Sequence, residues 1–181
     1  MHQEEIDLII RQSLSNKDNL SVAIKVGMAY PLLRRRIFSE FLHELKEQVQ
    51  QALGKRWLTE VEVDDWVGIS VRSGKWSEDL GVGSDSPSGK TPYFWVARFE
   101  ALLPSCQIDE ALKSELDEKV GTGRASKDFA WWMYPRKYRD WSAKNALLEF
   151  YNKQSAAGYW KKTIIQIAEV VDHVVGPKVN R

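Results

Sequence analysis

The feature that most constrains the fold is a change of hydrophobic period at Gly54. In residues 31–53, apolar side chains recur every three or four positions, which is the spacing of one face of an α-helix. After Gly54 the period falls to two, in residues 57–63 and again in 66–72, as in strands with one buried face. The sequence therefore predicts a long amphipathic helix, capped at its C-terminus by Gly54, followed by a sheet.

Two further strands are predicted downstream, a weaker one at 76–82 and an aromatic one at 93–100. The Gly-, Ser- and Pro-rich stretch between them, 83–92, has the composition of a hairpin connector. It ends in Gly89-Lys90-Thr91 like a phosphate-binding loop, but its preceding glycine is misplaced by one position and a strand follows instead of a helix. We therefore expect a four-stranded antiparallel meander and no nucleotide site.

The remaining segments are predicted to be mostly helical. A short first helix covers 6–14, and residues 20–30 alternate like a strand but lead into the long helix, whose first turn contains Pro31. After the sheet we expect three more helices. They lie near 108–120, downstream of a Ser142 cap, and from Gly158 to Gly176-Pro177.

These elements predict an α+β fold, in which the meander packs against the long N-terminal helix and the C-terminal helices. A chain of 181 residues is long enough for one domain with a substantial core. We expect a single domain over 1–181, with a helical part at 1–54, the β-meander at 55–103 and a second helical part at 104–181.

Charge and cysteine content limit the classes of function. The 26 basic and 25 acidic residues give a net charge of only +1, which argues against an acidic DNA mimic and against a generally basic nucleic-acid coat. A single cysteine favours a reducing compartment, and neither a signal peptide nor a membrane span is evident in the sequence. We expect a cytoplasmic protein with no membrane partner.

The sequence contains few candidates for catalysis. His2, His43 and His173 lie far apart, so a zinc site has little support, and no nucleophile is paired with a base. The acidic residues at 60, 62, 78 and 79 leave open a divergent magnesium-dependent nuclease. Alternating acidic residues, however, more often form the solvent-exposed face of a strand. We predict no catalytic residue, no metal and no cofactor, and the balance of these observations is against an enzyme.

The best binding candidate is the segment from Phe129 to Trp141, in which aromatic and basic residues are interleaved. Its candidate contact residues are Trp131, Trp132, Tyr134, Arg136, Lys137, Tyr138, Arg139 and Trp141. Such side chains can form a protein hot spot, or stack on bases and contact phosphates. The alternative is a Trp-rich plug that closes the sheet against the last helices.

From about residue 41 to residue 175 the chain resembles the C-terminal region of defence-associated proteins in the PD-(D/E)XK nuclease superfamily. The resemblance rests on the helix that precedes WVGISV (66–71), on LGVG (80–83) and YFWVARF (93–99), on three tryptophans at 131, 132 and 141, and on the last helix, rich in Ile and Val. The Glu-x-Lys signature does not carry over, because Glu44-Leu45-Lys46 lies in the predicted long helix. The resemblance implies an accessory portion without its nuclease core.

Together these observations predict a non-catalytic module that binds another protein, in a bacterial, phage or mobile-element defence or counter-defence setting that only the resemblance implies. The near-zero net charge favours a protein partner over a long nucleic-acid track. A nucleic-acid-binding accessory domain remains the competing prediction. Eight tryptophans and long apolar helix faces also make a homodimer plausible, with its interface on helices.

Overall fold

A computed structural model describes residues 3–64, 66–76, 80–87, 89–97, 106–152 and 154–179, without the side chains of 106–109, 144, 154 and 176–179. Its helices are α1 (Gln3–Ser13), α2 (Lys17–Leu53), α3 (Cys106–Lys119), α4 (Lys144–Asn152) and α5 (Gln154–Val179). Its strands are β1 (Trp57–Val63), β2 (Trp66–Ser73), β3 (Val82–Pro87), β4 (Tyr93–Ala97) and β5 (Phe129–Met133). Internal contacts divide the chain into two units, Met1–Ile37 and Phe38–Arg181, so the predicted single domain stays a prediction.

The first unit contains α1 and the beginning of α2, joined by a short polar turn. Asn16 caps α2, because its Oδ1 accepts a hydrogen bond from the backbone N–H of Asn19 at 2.8 Å. The Asn19 side chain donates in turn to the carbonyl of Gln12 in the last turn of α1. Residues 20–30 are helical, so their alternation is not a strand, and Pro31 lies inside α2 rather than in its first turn. The prediction failed because apolar residues on two sides of a helix also alternate along the sequence.

The second unit is built on a five-stranded antiparallel sheet in the order β1-β2-β3-β4-β5. The α+β class and the antiparallel sheet are confirmed, and the first two strands lie within a residue of their predicted positions. The fourth predicted strand is confirmed as far as Ala97, since 98–100 lie outside the described residues. The count of four was wrong because Phe129–Met133 pairs with β4 as a fifth strand.

The third strand was misplaced. It runs from Val82 to Pro87, so that all but its first residue lie in the stretch predicted as a connector. Of the residues predicted for this strand, Trp76, Leu80 and Gly81 are not in a strand, and 77–79 lie outside the described residues. Small residues occupy it because neighbours lie directly against its backbone. A Cβ on Gly83 would stand 2.2 Å from the carbonyl oxygen of Ile69, and the hydroxyl of Ser84 accepts a hydrogen bond from the Trp160 indole at 3.0 Å. Composition typical of a turn here reflects close packing.

The core lies between one face of the sheet and the helices. The second half of α2 buries Phe38, Phe41, Leu42, Leu45 and Val49, and Gly54 ends this helix with a positive φ of 86°, as predicted. α5 lies against the sheet through Trp160, whose ring centroid is 5.4 Å from that of Phe94. α5 is longer than expected at both ends, since it includes Gly158 and continues through Gly176-Pro177. The burial of other α5 residues outweighs the weak helix propensity of these two glycines and the proline.

Candidate functional site

The structure separates the eight predicted contact residues into two groups. Trp131 and Trp141 have no exposed surface, so these two are core residues and cannot serve as contact residues for a ligand. The other six retain exposed surface, namely Trp132, Tyr134, Arg136, Lys137, Tyr138 and Arg139. The segment therefore contributes Trp131 and Trp141 to the core, and the six other predicted contact residues, which lie between these two, to the surface.

A carboxylate on α3 fixes the position of the buried end. Asp117 Oδ1 accepts hydrogen bonds from the Trp131 indole at 3.0 Å and from the backbone N–H of Gly123 at 2.8 Å, while Lys113 pairs with its second oxygen. Burial raises the pKa of Asp117, but these hydrogen bonds and the Lys113 charge outweigh burial and hold the pKa below its ordinary value. Gly123 has no room for a side chain, since a Cβ would lie 2.1 Å from the Trp131 indole nitrogen.

This arrangement places a second backbone segment beside β5. Arg124 and Trp132 exchange two backbone hydrogen bonds, each 2.8 Å long, in an isolated antiparallel bridge. The Arg124 guanidinium lies over the Trp132 ring, with its central carbon 5.8 Å from the ring centroid. Arg124 is therefore held next to the exposed aromatic residues of β5.

We name the depression at this position the basic groove. Its volume is about 310 Å³, and it is lined by Thr122, Arg124, Trp132, Met133, Tyr134, Arg136 and Arg139. Three arginines and two aromatic residues line one open space, and no carboxylate is among these lining residues. A ligand in the groove therefore meets a locally positive surface, although the net charge of the whole chain is only +1.

A second depression continues the basic groove on the side of α5. Its volume is about 260 Å³, and it shares Met133 and Arg136 with the basic groove. Lys119 and Lys162 are among its other lining residues, and again no carboxylate lines it. Lys119 is paired with Glu115 at 2.5 Å, so Lys162 is the clearer extension of the positive track.

The aromatic rings of the groove are arranged edge to face. Trp132 and Tyr134 have centroids 5.3 Å apart and planes at 86°, and Tyr134 is 47% exposed. Arg136 is tied to α5, because its backbone N–H donates to the Tyr159 hydroxyl at 2.9 Å. Arg139 donates from Nε to the carbonyl of Pro135 at 3.1 Å. These hydrogen bonds hold the groove in place on the second unit, and the Tyr134 ring is exposed to solvent.

Sequence reasoning missed Arg124 and Lys162, which are 8 residues before Trp132 and 30 after it. No local pattern connects them to the aromatic segment, because the contact depends on Asp117 and on the packing of α5. The predicted contact residues also included two that lie outside the lining of both depressions. Lys137 is exposed, and the Tyr138 ring packs edge-to-face on Tyr159 and at a tilted angle on Trp160.

A different cavity, of about 540 Å³, lies near β1 and the second half of α2. His43, Lys46, Glu60, Glu62 and Asp85 are among its lining residues. The Asp85 side chain lies directly against Gly68, because a Cβ added to Gly68 would stand 2.1 Å from Asp85 Oδ1. We name this space the acidic cavity.

The pKa of Asp85 is raised to about 6, because burial and, to a smaller extent, the Glu62 charge raise it by more than the Trp95 indole N–H lowers it. Burial, followed by the Asp85 charge, raises the pKa of the neighbouring Tyr93 to about 12.

The cavity contains two of the acids considered for a magnesium-dependent nuclease. Glu60 is paired with Arg72 at 2.7 Å, and Glu78 and Asp79 lie outside the described residues. Across the part of the chain that the structure describes, no group of three His, Cys, Asp or Glu side chains is placed to hold a metal ion.

Comparison with known proteins adds no relative. No family model matches the chain, and neither a curated protein nor a solved structure is significantly similar to it. The resemblance to accessory regions of PD-(D/E)XK proteins therefore stays a prediction. Among the described helices, none combines the length and the apolar character needed to cross a membrane.

Proposed function

We propose that the chain is a binding module that holds single-stranded nucleic acid in the basic groove. The observation that carries this proposal is the lining itself, which combines Arg124, Arg136 and Arg139 with Trp132 and Tyr134 and contains no carboxylate. Single strands are bound by positive grooves that follow the phosphates and by aromatic rings on which bases stack. The local charge supports this choice over the protein partner that the net charge favours.

The extent of the two adjoining depressions supports a nucleic-acid strand rather than one isolated phosphate as the ligand. The basic groove and its neighbouring depression share Arg136, and Lys162 continues the positive charge beyond that shared residue. Tyr134 supplies an exposed ring beside the guanidinium groups. A chain of phosphates with bases matches both features, whereas an acidic peptide uses only the charge.

Fluorescence anisotropy with labelled single- and double-stranded oligonucleotides tests the proposal. Three to four phosphate contacts give a slope of log affinity against log salt of about −2 to −3 on a single strand. The triple variant Arg124→Ala, Arg136→Ala, Arg139→Ala is expected to abolish binding, and Tyr134→Ala to weaken it by about 1–3 kcal/mol.

Lys137→Ala is the matched control, because Lys137 is basic, exposed and outside the lining of both depressions. Its affinity is expected to stay within about twofold of the parent. Absence of single-strand binding at 0.05 M salt would refute the proposal. Tighter binding of an acidic peptide that depends on the same three arginines would support the protein-partner prediction instead.

The same samples address the nuclease alternative. We expect no cleavage of DNA or RNA with magnesium or manganese present, because no group of three His, Cys, Asp or Glu side chains among the described residues is placed to hold a metal ion. Cleavage that Glu62→Ala removes would show that the acidic cavity is catalytic. The defence setting is proposed on the resemblance alone.

A further inference from the structure

The first unit has no core of its own among its described residues. None of the residues from 3 to 37 is buried, and twelve large apolar side chains there are between 39% and 73% exposed. They are Leu8, Ile9, Ile10, Leu14, Leu20, Val22, Ile24, Val26, Met28, Tyr30, Leu32 and Leu33. Exposure on this scale in a short segment indicates an interaction surface.

The apolar residues of α2 form two stripes on opposite sides of the helix. One stripe contains Leu20, Ile24, Met28 and Leu32, at intervals of four residues. The other contains Val22, Val26, Tyr30 and Leu33. At 100° per residue, positions two apart lie on nearly opposite sides of a helix, so a single flat surface cannot cover both stripes. A helix that is apolar on two sides belongs inside a bundle.

We propose that the partner of this unit is a second copy of the chain. Two copies supply four helices, so that the two α2 segments pack on each other through one stripe and each α1 covers the other stripe of its partner. Such an arrangement has twofold symmetry and uses the same surface on both copies. It provides neighbours on two sides of α2 without requiring a different protein.

The available area is sufficient for a stable dimer. Full burial of an aliphatic side chain is worth about 1.5–3 kcal/mol at about 25 cal/mol per Å², which corresponds to about 60–120 Å². Twelve side chains that retain about half of this area expose on the order of 600 Å² per copy, and thus about 1,200 Å² in a symmetric pair. Stable interfaces begin at about this size.

Sedimentation equilibrium of the full chain tests the proposal, with a mass of twice the 20.9 kDa monomer expected at tens of micromolar. The variant Ile24→Glu, Val26→Glu puts one charge on each stripe. It is expected to raise the dimer dissociation constant at least 100-fold while the near-UV circular dichroism of the tryptophans in the second unit is unchanged.

Leu148→Glu is the matched control, because Leu148 is exposed to the same 53% as Ile24 but lies on α4. It is expected to leave the dissociation constant within about threefold of the parent. A monomeric parent chain at 50 µM would overturn the proposal, whether the unit then binds lipid vesicles, another protein or neither. An equal loss of dimer in the Leu148→Glu control would also overturn it.

Discussion

In the second unit Trp131, Trp141 and Trp160 have no exposed surface, whereas in the first unit every described residue retains some. Both units carry apolar residues at helical spacing, and one helix, α2, contributes to both. The second half of α2 contacts aromatic residues from α4 and from the segment before it, such as Phe150 and Trp141. Helical periodicity therefore shows that a face is apolar, but tertiary partners decide whether it is buried.

The largest predicted effect compares one apolar residue from each unit. Trp160→Ala removes a ring that packs on Phe94 and Trp141 and donates to Ser84, so we expect a loss of about 3–5 kcal/mol in unfolding free energy. Met28→Ala removes a side chain that is 73% exposed, and in dilute protein it should change this free energy by about 0.5 kcal/mol or less. Urea unfolding measures both.

Protein concentration sharpens this comparison. Any stability lost in Met28→Ala should grow as the concentration rises, because its missing contacts are intermolecular in the proposed dimer. The loss in Trp160→Ala should not depend on concentration in this way. A concentration-independent loss of several kcal/mol in Met28→Ala would contradict the division into a packed and an exposed unit.

The next effect concerns the carboxylate that supports the basic groove. Asp117→Ala leaves the Trp131 indole and the Gly123 N–H without their acceptor, and we expect it to cost about 2 kcal/mol. Glu115→Ala is the control on the same helix, since it removes only a surface pair with Lys119, which is worth about 0.3–0.5 kcal/mol. Equal costs for the two variants would show that Asp117 has no special role.

The lowered pKa of Asp117 gives this prediction a pH dependence. Its contribution to stability is fully present above the pKa of the unfolded chain, about 3.9 for an aspartate, and is lost as pH falls through the lower folded pKa. The difference between parent and Asp117→Ala should therefore be constant from pH 7 to about pH 5 and should shrink in more acidic solution. Unfolding curves at several pH values measure it.

Asp85 should show the opposite sign. Its folded pKa of about 6 lies above the ordinary 3.8, so the unfolded chain releases its proton first and stability falls as pH rises between these values. Asp85→Asn removes this cost and is expected to stabilise the protein by about 1–3 kcal/mol at pH 7.5, with no difference near pH 3.5. A destabilised Asp85→Asn at pH 7.5 would show that the carboxylate makes a needed contact.

The parts of the fold that depend on neighbouring residues could be predicted from the sequence, and the parts that depend on distant contacts could not. Residues 57–63 and 66–72 alternate and are only two residues apart in the sequence, so local pattern was sufficient for β1 and β2. β3 was missed because Gly83 and Ser84 are selected by close packing, which looks like turn composition in the sequence. β5 was missed because Phe129–Met133 pairs with a strand more than thirty residues earlier.

The candidate site was predictable only where its residues are local. Trp132, Tyr134, Arg136 and Arg139 lie within eight consecutive residues, and their mixture of rings and charges drew attention to them. Whether each ring faces solvent depends on the other side of the sheet, so Trp131 and Trp132 could not be told apart in advance. Arg124 joins the groove through Asp117 and Gly123, and no spacing in the sequence records that contact.

The smallest predicted effect uses two helical glycines, one from each unit. Gly27 in α2 and Gly158 in α5 both lie inside helices, and an added Cβ meets nothing within 4 Å at either position. Alanine favours a helix over glycine by about 0.5–1 kcal/mol. Gly158→Ala should raise the global unfolding free energy by this amount, because α5 buries residues throughout the core. Gly27→Ala in dilute protein should leave global unfolding unchanged and slow amide hydrogen exchange only within residues 20–34, because helix formation in an exposed segment is a local equilibrium. An equal rise in global stability for both variants would mean that the first unit unfolds together with the second.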